Sequence, residues 1–542
     1  MKTIIRKCLT TFLYTACIIC GFSSCNDFEE LNQDPTKAST IDPNTQLTNA
    51  LLCIGGDWGV AQPFAFYYCG FVQHLQGDYS TTSDGGEYLN SDYEFQAVWD
   101  RMYTVLLKNL VDGINRTQGD SSMVNANSAL RITKVFYSTI ITDMFGDVPY
   151  FDACKGYISG NVKPAYDKQE LIYKDMLKEL TEAEANLNEN GDALSGDIIY
   201  KGDIAKWKSL ANALNLRLAM RLTKVEPEFA HEQVKNILSR SSGMLKSNAD
   251  NALVEMMDML DWDYNEHRRN GLSQLWRGRE NYPTCYICST FWNKMKDTSD
   301  PRLLRIGRCY DESSTNPFSR NDVTEYIMNK SGNGINQLQP VKPGFYWWDN
   351  WPNGFWDADK SFWWDKACRP MLNNAFIKGN CPGIICTYAE QEYLLAEANS
   401  RWNDLNDNTT AEQHYNNAVR ASMDFLNSNY NINKIGNDEI NSFLSANPFP
   451  SDAEGRIKTI NEQLWIYDFL NPAEAYSNWR RSGYPELKSS VEYGAKVKDS
   501  QSIPRRLFYP LTEQTYNPEG YYSAVKSMGG TDSWNAHVWW DK

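Results

Sequence analysis

Only five histidines occur in 542 residues, His74, His231, His267, His414 and His537, and they are widely scattered. No H-E-x-x-H or G-x-x-x-x-G-K-S/T run is present, so the sequence lacks the usual zinc-protease and phosphate-loop signatures. Past the first 25 residues no apolar run approaches the ~20 residues of a membrane-spanning helix. Basic charge is scarce: 53 Lys and Arg against 68 Asp and Glu leave a net −15. Nucleic acid is therefore excluded as a partner, because binding it depends on cations that displace counterions from phosphates. Sustained apolar/polar alternation is missing too, which argues against a large sheet. Of 13 cysteines, four (Cys8, Cys17, Cys20, Cys25) lie in or at the leader, and the remaining odd number suits no complete disulfide framework. Cys285-x-x-Cys288 has no second pair and no histidine at zinc spacing, so it reads as two buried thiols.

Aromatic residues, by contrast, are abundant. The 18 Trp, 31 Tyr and 22 Phe make up 13% of the chain, enough to fill a core and still supply flat platforms for a ligand. The N-terminus gives the compartment. Lys2, Arg6 and Lys7 precede an apolar stretch, Cys8–Phe22, too short to span a bilayer, which reads as a signal peptide. It ends Phe22-Ser23-Ser24-Cys25, similar to a bacterial lipobox, with Cys25 as the lipidated first residue of the mature chain. Loss of Lys2, Arg6 and Lys7 takes the charge from −15 to −18 (−15 minus 3). The acidic run Asn26–Glu30 resembles the surface-export signal of Bacteroidetes lipoproteins. The expected layout is a signal over 1–24, a lipidated tether over 25–43, and one domain over 44–542 with a loop-rich insertion at about 258–383.

Within that domain the dominant pattern is helical. Val98, Met102, Val105, Leu106, Leu110 and Ile114 keep three-and-four spacing between Phe95 and Thr117. So do Ile132, Phe136, Ile140 and Met144; Tyr173, Met176, Leu177, Leu180, Ala183 and Leu187; and Trp207, Leu210, Ala211, Leu214, Leu218 and Leu222. Further helices are expected over Tyr388–Trp402, Ala411–Leu426 and Arg456–Leu470. They come in neighbouring pairs, with small residues such as Ala211, Ala213, Ala396 and Ala398 where helices could approach closely. The fold expected is mostly α, a tetratricopeptide-like paired-helix scaffold without a strict repeat period. The insertion is different: its periodicity is weak, and one helix stands out near Thr284–Lys296.

Several segments in order resemble the SusD/RagB family of outer-membrane nutrient-binding lipoproteins, with the second SusD-like subfamily the nearest match. They are Asp143-Met-Phe-Gly-Asp-Val-Pro-Tyr150; Lys206-Trp-Lys-Ser-Leu-Ala-Asn-Ala-Leu-Asn-Leu-Arg-Leu-Ala-Met-Arg221; Thr387-Tyr-Ala-Glu-Gln-Glu-Tyr-Leu-Leu-Ala-Glu-Ala398; Asn461-Glu-Gln-Leu-Trp-Ile-Tyr467; Glu474-Ala-Tyr-Ser-Asn-Trp-Arg-Arg-Ser-Gly-Tyr-Pro485; and Ile503-Pro-Arg-Arg-Leu-Phe-Tyr-Pro510 with Glu513 and Asn517. The resemblance implies a helical-repeat fold, no catalysis, an outer-membrane lipid anchor facing the cell exterior, and a partner: a SusC-like TonB-dependent transporter that the lipoprotein covers. The shared arginines, Arg217, Arg221, Arg480, Arg481, Arg505 and Arg506, are expected to pair with buried carboxylates or helix carbonyls near Glu390, Glu397 and Glu474.

A carbohydrate site needs ring faces for the C–H faces of sugars and Asp, Asn or Arg for the hydroxyls. The densest candidate is residues 345–365, with Trp347, Trp348, Trp351 and Trp356 interleaved with Asp and Asn. Tyr79 and Tyr88 in an expected loop over Gly77–Tyr88, Trp58 in a Gly-flanked turn, and Trp262, Trp276 and Tyr282 complete the set. Large aromatics also lock long loops onto scaffolds, so each position has a purely structural alternative. Two other functions fit the residues: the same fold binding peptides, or a surface glycoside hydrolase drawing an acid and a base from Asp349, Asp357, Asp359 and Asp365. Loop Asp and Asn oxygens could hold a structural calcium, although no EF-hand spacing occurs. Trp534, Trp539 and Trp540 are expected to pin the C-terminus.

Overall fold

A computed structural model describes residues 41–542 except 78–79, 279–284, 312, 315, 331–332, 345–355, 358–361 and 364–367; the side chains of 80–83, 356, 357, 362 and 363 are likewise outside the description. The chain divides into two units, Met1–Asp42 and Pro43–Lys542. All the elements that follow lie in the second.

Helices dominate it. In chain order they include α1 (Pro43–Gly56), α2 (Trp58–Pro63), α3 (Ser80–Glu87), α4 (Asp92–Asp100), α5 (Lys108–Thr117), α6 (Val124–Phe145), α7 (Gln169–Asn186), α8 (Ile204–Arg221), α9 (Pro227–Leu238), α10 (Gly271–Arg277) and α11 (Ser289–Asp297). The C-terminal half adds α12 (Tyr388–Arg401), α13 (Ala411–Asn429), α14 (Ala453–Tyr467), α15 (Pro472–Ser482), α16 (Leu511–Tyr516) and α17 (Pro518–Ser527). Successive helices pack side by side: α6 on α7, α7 on α8, α8 on α9, and α12 on α13 and α14. Every residue of the expected α7 and α8 stripes is buried, including Tyr173, Leu180, Trp207 and Leu214. Ala211, Ala213, Ala396 and Ala398 are buried too, which lets the paired backbones come close. The expected helix from Phe95 to Thr117 is one rod whose middle, Arg101–Leu107, widens into a π-turn between α4 and α5.

The shared arginines form a buried lattice between these helices. Arg217 donates to both oxygens of Glu390 (2.5 and 2.6 Å), Arg221 to Glu474 (2.5 Å), and Arg481 to both oxygens of Glu397 (2.6 Å each). Arg480 caps the carbonyls of Asp143 and Arg505, and Arg506 donates to the carbonyl of Phe145. Asp143 is a hub: it accepts from the Tyr173 hydroxyl (2.5 Å) and from Trp540 Nε1 (2.8 Å). With Trp534 and Trp540 both buried, the C-terminus is pinned as expected.

Two expectations need correction. Gly77–Tyr88 is not a loop: Ser80–Glu87 is helical, because α3 lies backbone to backbone on a second π-turn, Phe64–Tyr68. A Cβ on Gly85 would sit 2.5 Å from the Tyr67 carbonyl oxygen, so the Gly pair that suggests a loop instead permits helix contact. The insertion also holds more order than its weak periodicity indicates. Besides α10 and α11 it contributes β3 (Cys285–Ile287), β4 (Gly307–Arg308) and β7 (Met371–Leu372), which join β1 (Leu75–Gly77) in an antiparallel sheet of order β1-β3-β7-β4, while β2 (Ala252–Val254) pairs with β8 (Gly383–Cys386). The helix expected near Thr284–Lys296 therefore starts as strand β3 and becomes helical only at Ser289. Strands two or three residues long leave no alternation to read.

Candidate ligand-binding site

The turn Gly56-Asp57-Trp58 lies against the loop 261–271. Asp57 caps α2 by accepting from Val60 N (3.1 Å), and its other oxygen accepts from Arg101 Nε (2.8 Å). Arg101 Nη2 reaches the Tyr264 carbonyl (3.1 Å) and lies 3.1 Å from His267 Nε2. From the other side Arg269, fully buried, donates to the carbonyls of Gly56 (2.5 Å), Glu266 (2.6 Å) and Asp261 (2.9 and 3.0 Å). Two guanidiniums thus tie the loop to the helix start through backbone oxygens, which makes its outer face rigid.

That outer face is aromatic. Trp58 stacks on Tyr264 with ring centroids 4.0 Å apart and planes 27° apart, and meets Trp262 edge to face at 5.8 Å. All three rings are half-buried, so each keeps part of its surface in solvent. Trp58 Nε1 donates to the Asp263 carbonyl (3.3 Å). Burial, then a hydrogen bond with the largely exposed Tyr93, pushes the Tyr264 phenol up to about 12, so it is a neutral hydroxyl across the physiological range.

A second group of elements meets nearby. Gly77 pairs with Cys285 across β1 and β3, and Gly344 N donates to Gln76 Oε1 (3.3 Å). Gly77, Cys285 and Gly344, which border residues 78–79, 279–284 and 345–355, therefore lie close together at one end of the β1–β3 pair. The helix α10 starts against the Trp58 turn: a Cβ on Gly271 would lie 2.7 Å from Trp58 Cα, and its seven residues span about 10 Å before Gly278.

Cys53, Asp57 and His267 are near enough to one another to suggest a metal centre. Their partners argue otherwise. Cys53 Sγ faces His267 Nδ1 (3.4 Å), whereas Arg101 faces Nε2 and already neutralises Asp57. Burial pushes the Cys53 thiol up, away from the thiolate a metal needs. The group is an ion-paired corner behind the aromatic face.

The chain matches the family model described as "Starch-binding associating with outer membrane", the SusD-like family, over residues 35–510. It belongs to that SusD-like family. Among solved structures it is similar to a SusD-like protein from Bacteroidetes AC2a, at 31% identity and a TM-score of 0.84, with 93% of this chain and 100% of that one covered. A chitin-binding protein is 32% identical with a TM-score of 0.76, covering 92% of this chain and all of its own. A SusD homologue from Bacteroides fragilis, at 21% identity and a TM-score of 0.73 over 93% of this chain and 100% of that one, shares the fold. Comparison with curated proteins gives no match.

In this SusD-like chain the sequence-derived site residues separate into three groups. Trp58 and Trp262 stand together on the aromatic face. Tyr88 and Trp276 are 1% and 2% exposed and present no ring to solvent: Tyr88 closes α3, where its hydroxyl accepts from Ser490 N (2.9 Å), and Trp276 is the inner side of α10. Tyr79, Tyr282, Trp347, Trp348 and Trp351, as well as Cys25, lie outside the described residues; Trp356 is in the short strand β5 (Trp356–Asp357), paired with β6 (Phe362–Trp363). None of the nine cysteines after the leader is in a disulfide and eight of them are buried, so Cys285 and Cys288 are two buried thiols as expected. Sequence reasoning misses Tyr93, Arg101, His267 and Arg269. No local signal marks them, since the partners that give them meaning lie as far as 213 positions away. Among the described residues no helix is long and apolar enough to cross a membrane.

Proposed function

We propose that this SusD-like protein is a non-catalytic, cell-surface glycan-binding lipoprotein. Anchored through Cys25, it captures oligosaccharides outside the cell and delivers them to a SusC-like TonB-dependent transporter. The observation that carries this reading is the rigid, partly exposed surface of Trp58, Trp262 and Tyr264, in a chain whose family is described as starch-binding and outer-membrane-associated. Ring faces take the C–H faces of a sugar, and the Tyr264 and Tyr93 hydroxyls serve its hydroxyl groups.

Titration calorimetry on the mature chain with malto- and chito-oligosaccharides tests it, the two series being chosen from the family description and the chitin-binding relative. Trp262→Ala and Trp58→Ala are each expected to weaken binding by about tenfold, the loss of roughly 1.4 kcal/mol of aromatic contact. Binding of a mixed peptide pool but of no glycan would sink the saccharide reading. Steady release of reducing ends from a polysaccharide panel would sink the non-catalytic one.

A further inference from the structure

A second aromatic concavity lies on the other side of α4. The N-terminus of α4 and the C-terminal helices α16 and α17 enclose a cleft of about 460 Å³, with Phe508, Tyr521 and Leu511 in its wall and Asn90, Gln514 and Thr531 at its rim. Its apolar part is not closed off by the fold: Tyr522 is 60% and Leu511 58% exposed. Rings set edge to face line it, Tyr509 on Tyr521 at 5.9 Å and Tyr521 on Tyr522 at 5.1 Å. Polar groups on the rim have bonding capacity left over. Gln514 uses its amide nitrogen on the Tyr521 hydroxyl (3.0 Å) and keeps its oxygen, and Asp92 uses one carboxylate oxygen on Leu511 N (2.8 Å) and keeps the other. The side chains of Asn90 and Thr531 and the hydroxyl of Tyr522 have no partner among the described residues.

The cleft and the Trp58–Trp262–Tyr264 face are joined by two consecutive residues. Asp92 holds the cleft wall at Leu511, and the next residue, Tyr93, 68% exposed, lies beside the Tyr264 phenol. We propose that the cleft is a second saccharide-contacting site, and that a long glycan runs from the Trp58 face across Tyr93 into it. This rests on the glycan-binding reading and adds chain-length selectivity to it. The alternative occupant, a protein surface, fits less well. A stable protein contact buries about 800 Å² on each partner, whereas this is a bounded concavity of small-ligand size with unpaired hydrogen-bonding groups around exposed rings.

The test compares two- and eight-residue malto- and chito-oligosaccharides by calorimetry, on the mature chain and on Tyr522→Ala, Tyr522→Phe, Leu511→Ala and Trp262→Ala. Both cleft residues are exposed, so melting temperatures are expected to stay at the wild-type value. In the series that binds, Tyr522→Ala and Leu511→Ala should weaken the eight-residue ligand by about fivefold to tenfold while the two-residue ligand is unaffected. Tyr522→Phe keeps the ring and should keep most of the long-chain affinity. If the cleft variants bind both lengths like wild type while Trp262→Ala loses both, the cleft proposal is overturned and glycan binding stands. If wild type binds neither series at any length, both fall.

Discussion

Arg481 and Glu397 face each other through two parallel hydrogen bonds, Nη1 to Oε1 and Nη2 to Oε2, each 2.6 Å, between side chains 1% and 0% exposed. Arg401 Nε adds a third bond to Oε1 (2.8 Å) and Asn461 a fourth to Oε2 (3.1 Å). The pair ties α12 to α15 across the centre of the scaffold.

Burial by itself would raise the Glu397 carboxyl, but the guanidiniums of Arg481 and Arg401 overcome it and hold the group at about 2. Its contribution to stability is therefore present above the unfolded value near 4.5 and is lost as pH falls through 2. Glu397→Gln leaves a buried cation short of its counter-charge and should destabilise the fold by about 3–5 kcal/mol, read as a lowered urea midpoint at neutral pH. A midpoint within error of wild type would refute the assignment of this pair as a structural clamp.

His414 titrates in the opposite sense. Burial disfavours its charged form, yet hydrogen bonds to Asp407 and Glu392, 2.9 Å each, outweigh that and raise it to about 9. The stabilisation is complete below the unfolded value near 6.5 and disappears as pH rises through 9, an effect on the order of 2–3 kcal/mol. Melting temperature should fall between pH 7 and 10, and His414→Gln should flatten that slope.

Glu94 is 8% exposed, and one of its oxygens has no hydrogen-bond partner. Burial, reinforced by Asp84, lifts it to about 7. The folded state therefore holds this proton more tightly than the unfolded chain does, and stability drains away as pH rises from about 4.5 through 7. Glu94→Gln should melt at a higher temperature than wild type at pH 8, with the gap closing at pH 4.

Gly56 marks the point where the aromatic loop presses on α1: a Cβ there would lie 1.9 Å from the His267 carbonyl oxygen. Gly56→Ala must push the 261–271 loop outward, at about 1–3 kcal/mol of overpacking. Saccharide affinity should fall along with stability. An unchanged dissociation constant in a folded Gly56→Ala protein would mean that the loop does not carry the ligand.

Much of the scaffold is legible from spacing alone. The stripes from Tyr173 to Leu187 and from Trp207 to Leu222 settle which face of α7 and α8 turns inward, because the 3.6-residue period is a property of each helix by itself. The arginine-rich segments around Arg217, Arg480 and Arg505 point to buried ion pairs for the same local reason: so much charge in an apolar stripe needs a partner. Tertiary structure decided the rest. It turned the Gly85-Gly86 pair from loop to helix through contact with Tyr67, took Tyr88 and Trp276 into the core, and left Trp58 and Trp262 at the surface. Composition cannot separate an indole that packs from one that binds, since both need the same ring. Which role it takes depends on what a distant stretch of chain, such as Arg269 reaching back to Gly56, places behind it.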